Sequence, residues 1–302
     1  MKSTHRTRPL HWLATLVVAV VAGLALALVI DVVRAGGTAA WLARHHLAPP
    51  YEARGERFDI GRRQLYLDCR GEGRPTVVLE AGSGADSSTW SAVFDALAAT
   101  TRTCAYDRAG RARSDPAERH TLRDTAVELR TLLATAGVEP PFIVVGHSLG
   151  GAFGRVFADE HRDEIAGLVM VDTFDPDLQE DWIHPLLGAL RPQYEASLDG
   201  LRETVAFVDL LDWPASEKQL RDATIEGLPV EVLRAPRYEP RLDEERNAEI
   251  TAAWETAYET LSPGRVRQTI ALGAGHNVQI DRPDLVIEAI RRLVDNARNG
   301  DG

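Results

Sequence analysis

Hydrophobic and polar positions follow three different patterns along this chain. The first is an uninterrupted apolar run from Trp12 to Ile30, WLATLVVAVVAGLALALVI, without a charged residue. At about 1.5 Å per helical residue it reaches about 28 Å, close to the hydrocarbon thickness of a bilayer. A transmembrane anchor is therefore expected over residues 12–33, after a head at 1–11 and before a linker at 34–55. A cleaved signal peptide is the alternative, although the run exceeds a usual h-region and the small residues Ala35–Ala40 come late.

From residue 56 the pattern changes to short β-branched runs alternating with stretches of helical period. RFDI and Gln64–Cys69 flank Gly61-Arg62-Arg63 as a hairpin. Further strands are expected at Thr76–Ala81, Thr103–Asp107, Phe142–Gly146, Gly167–Asp172, Val230–Ala235 and Arg267–Leu272. Helices are expected at about Ser88–Ala99, from Leu122 to Ala136, after residue 148 to about His161, at Asp243–Leu261 and from Asp284. Strands alternating with helices imply an α/β fold with a mostly parallel sheet covered on both faces. The third pattern occupies residues 173–227, rich in Trp, Leu and Pro and without strand signals. It is expected to cap the carboxyl ends of the strands, where open α/β sheets bind ligands.

Charge sharpens this division. Residues 1–34 carry Lys2, Arg6, Arg8 and Arg34 against Asp31 alone, so a net charge of -11 splits into +3 at the head and -14 on the rest. Positive flanking charge predicts a cytoplasmic N-terminus and a body across the membrane, or a secreted body if the segment is cleaved. The acidic body argues against a nucleic-acid partner.

The candidate chemistry centres on Gly146-His147-Ser148-Leu149-Gly150, a G-x-S-x-G between an apolar strand and a helix. A serine hydroxyl needs exposure, a base and an oxyanion site before it attacks a carbonyl. A sharp strand-to-helix turn supplies exposure, with glycines where side chains would collide. The Leu149 N–H, at the helix start, is one candidate oxyanion donor, and Ser83 in the Gly82-Ser83-Gly84 loop supplies the other. Of the downstream histidines, His161, His184 and His276, the last sits in a small-residue loop after the final strand and is the expected base. The acid is expected after the sixth strand: Asp172 at the strand tip, with Asp175 and Asp177 as alternatives. Asp107-Arg108-Ala109-Gly110 reads as a structural turn with a buried ion pair.

With PTVVLEAGSG, CAYDRAGRARSD, VVGHSLGG, LVMVD and GAGHNVQIDRPD in order, the chain resembles the serine α/β-hydrolase superfamily over about residues 56–297, and within it bacterial membrane-anchored members. The resemblance implies an eight-stranded, mostly parallel sheet, Ser148 as nucleophile, His276 as base and donors at Ser83 and Leu149. The chain departs from it at Glu80-Ala81, where many relatives carry a histidine. In such sheets the strands bearing Cys69 and Cys104 are neighbours, which makes these cysteines a candidate disulfide in an oxidising compartment. The implied activity is hydrolysis of a carboxylic ester or related acyl bond of a small, apolar substrate, with no metal or organic cofactor. Peptidase or carbon–carbon bond hydrolase chemistry is the alternative. A non-catalytic, membrane-tethered ligand-binding protein on the same scaffold is the alternative of another class.

Overall fold

The computed structural model describes residues 51–173, 183–236 and 242–300. The span read over 12–33 lies outside them, as do Asp175 and Asp177. Among the described residues no helix is long and apolar enough to cross a membrane.

Runs such as TVVLE and FIVVG lack polar alternation, so as strands they need cover on both faces. They become central members of an eight-stranded sheet: β1 (Glu56–Asp59), β2 (Gln64–Arg70), β3 (Thr76–Glu80), β4 (Thr103–Tyr106), β5 (Phe142–His147), β6 (Ile165–Val171), β7 (Val230–Arg234) and β8 (Val266–Ile270). Their spatial order is β1-β2-β4-β3-β5-β6-β7-β8. β2 runs antiparallel to both of its neighbours, and every pairing from β4 through β8 is parallel.

The helices are α1 (Phe94–Ala98), α2 (Leu122–Thr135), α3 (Leu149–Glu160), α4 (Arg191–Val208), α5 (Trp213–Asp222), α6 (Glu244–Glu259), α7 (Val278–Asp281) and α8 (Pro283–Asn299). Successive strand residues point to opposite faces. Val78, Val144 and Met170 pack with Leu129 and Leu132 of α2 and Val156 of α3. Their neighbours Val77, Val145 and Val171 pack with Phe94 of α1 and Ile290 of α8 on the other face. Burying a Val or Leu fully contributes about 1.5–3 kcal/mol, so these two layers dominate the stability of the sheet. In α8 the buried positions Val286, Ala289, Ile290, Leu293 and Val294 form one apolar stripe, and Gly300 closes the helix in a left-handed conformation.

One expected helix differs. Ser88–Ala99 is divided into a 3₁₀ turn at Ser87–Trp90 and the short α1. Tertiary contacts cause the division. The Ser87 amide donates to Asp107 Oδ1 at 2.9 Å, and Asp86 Oδ1 accepts the Ser88 amide at 2.8 Å, which winds the entry more tightly than an α-helix. The cysteines face each other in the β2–β4 register and form a disulfide. Between β6 and β7 the described residues carry α4 and α5 and no strand.

Candidate active site

Ser148 lies between the end of β5 and the start of α3, with φ 53° and ψ −122°. Backbone in that region costs on the order of 1–3 kcal/mol for a residue with a side chain. The surrounding structure imposes it. The Ser148 N–H donates to the Val171 carbonyl at 3.0 Å, and its own carbonyl accepts from the Gly151 N–H at 3.0 Å. The flanking glycines are steric requirements: a Cβ on Gly146 would lie 2.3 Å from the Gly150 carbonyl oxygen, and one on Gly150 would lie 2.4 Å from that of Glu80.

The loop after β8 brings His276 to the end of β6. His276 Nδ1 lies 2.7 Å from Asp172 Oδ2. A carboxylate only accepts, so Nδ1 donates here, and in the neutral imidazole the lone pair then lies on Nε2. Asp172 is buried with φ 41° and is held from both sides: its amide donates to Leu233 O at 2.7 Å, and its Oδ1 accepts the Ala235 N–H at 3.0 Å.

The other face of His276 meets His147, with ring centroids 4.7 Å apart. His147 Nε2 donates to the His276 carbonyl at 2.9 Å. Burial, then the neighbouring His276, lowers the His147 imidazole to about 4, so it is neutral at pH 7. His161, read from sequence as a surface residue, is half-buried against Phe157 at the far end of α3.

Ser148, Asp172 and His276 line one cavity of about 620 Å³, together with Ser83 and Leu149. α4 contributes Leu201, Thr204, Val205 and Val208 to its wall. The structure therefore gathers Ser148, His276, Asp172, Ser83 and Leu149 at one place, and Cys69 and Cys104 lie elsewhere in the sheet. The Ser83 hydroxyl points away from this chemistry and donates to Asp209 Oδ2.

Asp209 was not among the residues singled out from sequence. It follows the last residue of α4, where a negative charge opposes the helix dipole. That misplacement, and a lone Glu80 inside an otherwise apolar strand, were the available signals. Arg108 pairs with these two carboxylates, not with its neighbour Asp107.

The profile of the alpha/beta hydrolase fold family matches residues 75–266. Among curated relatives, an AB hydrolase superfamily protein of Gibberella zeae is 32% identical over 153 residues, covering 47% of this chain and 46% of that protein. The uncharacterized protein YqjL of Bacillus subtilis is 34% identical over 104 residues, covering 34% of this chain and 41% of its own. The chain thus spans less than half the length of these curated relatives. Among solved structures, a thermophilic esterase from Thermogutta terrifontis superposes with a TM-score of 0.54 at 19% identity, over 81% of this chain and 99% of that one. The meta-cleavage product hydrolase CumD of Pseudomonas fluorescens gives 0.54 at 16% identity, over 80% and 98%. At such identities these structures share the fold alone.

Proposed function

Because the chain belongs to the α/β-hydrolase fold family, we propose that it is a serine hydrolase cleaving a carboxylic ester or related acyl bond through an acyl-enzyme. One observation carries this reading: Ser148, on a strained turn, opens on the same cavity as a His276–Asp172 pair joined at 2.7 Å.

His276 Nε2 takes the Ser148 proton as Oγ attacks the substrate carbonyl. Asp172 holds the imidazole in the tautomer this requires and stabilises the imidazolium that forms. The tetrahedral oxyanion is received by the amides of Ser83 and Leu149, the latter among the N–H groups that a helix start leaves unpaired. His276 then protonates the leaving group, and water activated by the same imidazole releases the acid.

A cavity of about 620 Å³ suits a small molecule. Its wall of Leu201, Val205 and Val208 favours an apolar acyl or alcohol group.

The test is labelling with a fluorophosphonate probe, paired with a p-nitrophenyl ester chain-length series. Wild-type protein should be labelled at Ser148 and turn over at least one ester of the series. Ser148→Ala should lose labelling and at least about 10³-fold in turnover. Folded wild-type protein that takes no label would overturn the reading.

A further inference from the structure

Behind the Ser83 loop lies a cluster of charged and polar groups that the chemistry above does not use. Glu80, Arg108 and Asp209 are all nearly inaccessible to solvent. Burying three charges is costly unless they are paired and hydrogen-bonded, and here Arg108 pairs with both carboxylates. Tyr106 donates its hydroxyl to Glu80 Oε2, and Arg108 Nη1 donates to Glu80 Oε1. Arg108 Nη2 reaches Asp209 Oδ1 at 3.0 Å, and Arg111 adds a second contact to that oxygen at 3.1 Å. Burial and its partners act oppositely on Asp209, and its cationic neighbours hold the carboxyl below the usual range.

Both terminal nitrogens of Arg108 also grip the backbone. Nη1 donates to the Ala81 carbonyl at 2.6 Å, and Nη2 to the Gly82 carbonyl at 2.7 Å. The second bond fixes a direction. The Gly82 carbonyl and the Ser83 N–H belong to one planar trans peptide, in which the two bonds point opposite ways. Holding this carbonyl towards Arg108 turns the Ser83 N–H away from it, and Ser83 and Gly82 line the cavity that Ser148 also lines. Asp209 completes the arrangement from the far side of the chain. It accepts from the Ser83 hydroxyl and, at 3.3 Å, from the Gly84 amide. It directly follows Val208 of α4, a residue of the cavity wall, whose carbonyl accepts from Arg111.

We propose that Arg108, fixed between Glu80 and Asp209, is a positioning residue that aims the Ser83 amide at the oxyanion, and that Asp209 makes this aim depend on the seating of α4. The inference rests on the serine-hydrolase reading and adds to it a coupling between the substrate-facing helix and the oxyanion donor.

Arg108→Lys keeps the charge but loses the planar fork that holds two carbonyls at once. It is expected to lower kcat on p-nitrophenyl butyrate by about 10²-fold, comparable to removing one oxyanion donor, with KM within about 3-fold. A trifluoromethyl ketone, which forms a tetrahedral adduct with the serine, should lose affinity by a similar factor. Asp209→Ala should show the same split between kcat and KM, with a loss of about 10-fold or more, while Asp209→Asn should recover part of it. Hydrogen exchange of residues 81–85 should accelerate by about 10-fold in Asp209→Ala.

If Arg108→Lys fails to fold, the Asp209 pair decides alone. Folded variants with kcat and ketone affinity within about 2-fold of wild type overturn the inference. So does unchanged exchange at 81–85, whatever the activity. A wild type that neither labels nor turns over ester fails the serine-hydrolase reading instead, and the exchange measurement still judges the loop.

Discussion

Asp172 is held by its backbone and both carboxylate oxygens at once. Its amide reaches Leu233, one oxygen takes the Ala235 amide, and the other faces His276. The side chain therefore arrives at the imidazole already oriented, with little rotamer freedom left to lose. Asp172→Asn preserves size and most of this anchoring but offers His276 an amide that cannot balance an imidazolium. The expected result is a fall in kcat of about 10³–10⁴-fold without loss of fold, measured by ester turnover alongside circular dichroism. Near-wild-type turnover would transfer the role to Asp175 or Asp177. The sequence left three aspartates open here because all three follow one strand closely. Among the described residues, it is Asp172 that the His276 loop, more than a hundred residues later, meets.

The element that carries the reading is the turn from β5 to α3, and its tolerance for side chains can be measured. A Cβ on Gly150 would press on two backbone oxygens, Glu80 at 2.4 Å and Ala81 at 2.6 Å. The Ala81 oxygen is also held by Arg108, so it cannot easily retreat. Gly150→Ala should therefore destabilise by about 1–3 kcal/mol, as overpacking does, and should slow fluorophosphonate labelling of Ser148 at least about 10-fold. Gly200→Ala, in α4 with nothing within 4 Å of the added Cβ, is the control. It should be neutral or stabilising by up to about 1 kcal/mol in urea unfolding. Equal behaviour of the two variants would remove the steric account. This turn was legible in the sequence because its demands are local, set by spacing over five residues. The divided helix at Ser87–Ala98 was not, because a distant Asp107 captures its first amide.

At the scale of the whole molecule, the buried neutral His147 links stability to pH. Its imidazole is lowered from 6.5 to about 4 by burial first and by His276 second. Below pH 6.5 the unfolded chain takes up a proton that the folded chain does not. The contribution is thus complete above pH 6.5 and is lost as pH falls towards 4. Each tenfold loss of proton affinity on folding corresponds to about 1.4 kcal/mol, for a total of about 3 kcal/mol. Urea unfolding at pH 7.5, 5.5 and 4.5 should show wild type losing about that much more than His147→Asn. Parallel pH dependence in the two proteins would exclude His147 as the source. Carboxylates held low by cations, such as Asp209, add to acid sensitivity in both.

By itself the sequence determined the alternation of strands and helices, the two-sided cover of the central strands, and the serine turn with its glycines. These follow from periodicity, β-branching and sterics acting over a few residues. It also carried His276, through a small-residue loop after the last strand. The tertiary structure decided which side chains meet across long separations. It joined Asp172 to His276 and brought Asp209 to Arg108, 101 residues away. Charge–charge pairing depends on distance in space and on exclusion of water, and neither quantity is written in the spacing of residues along a chain.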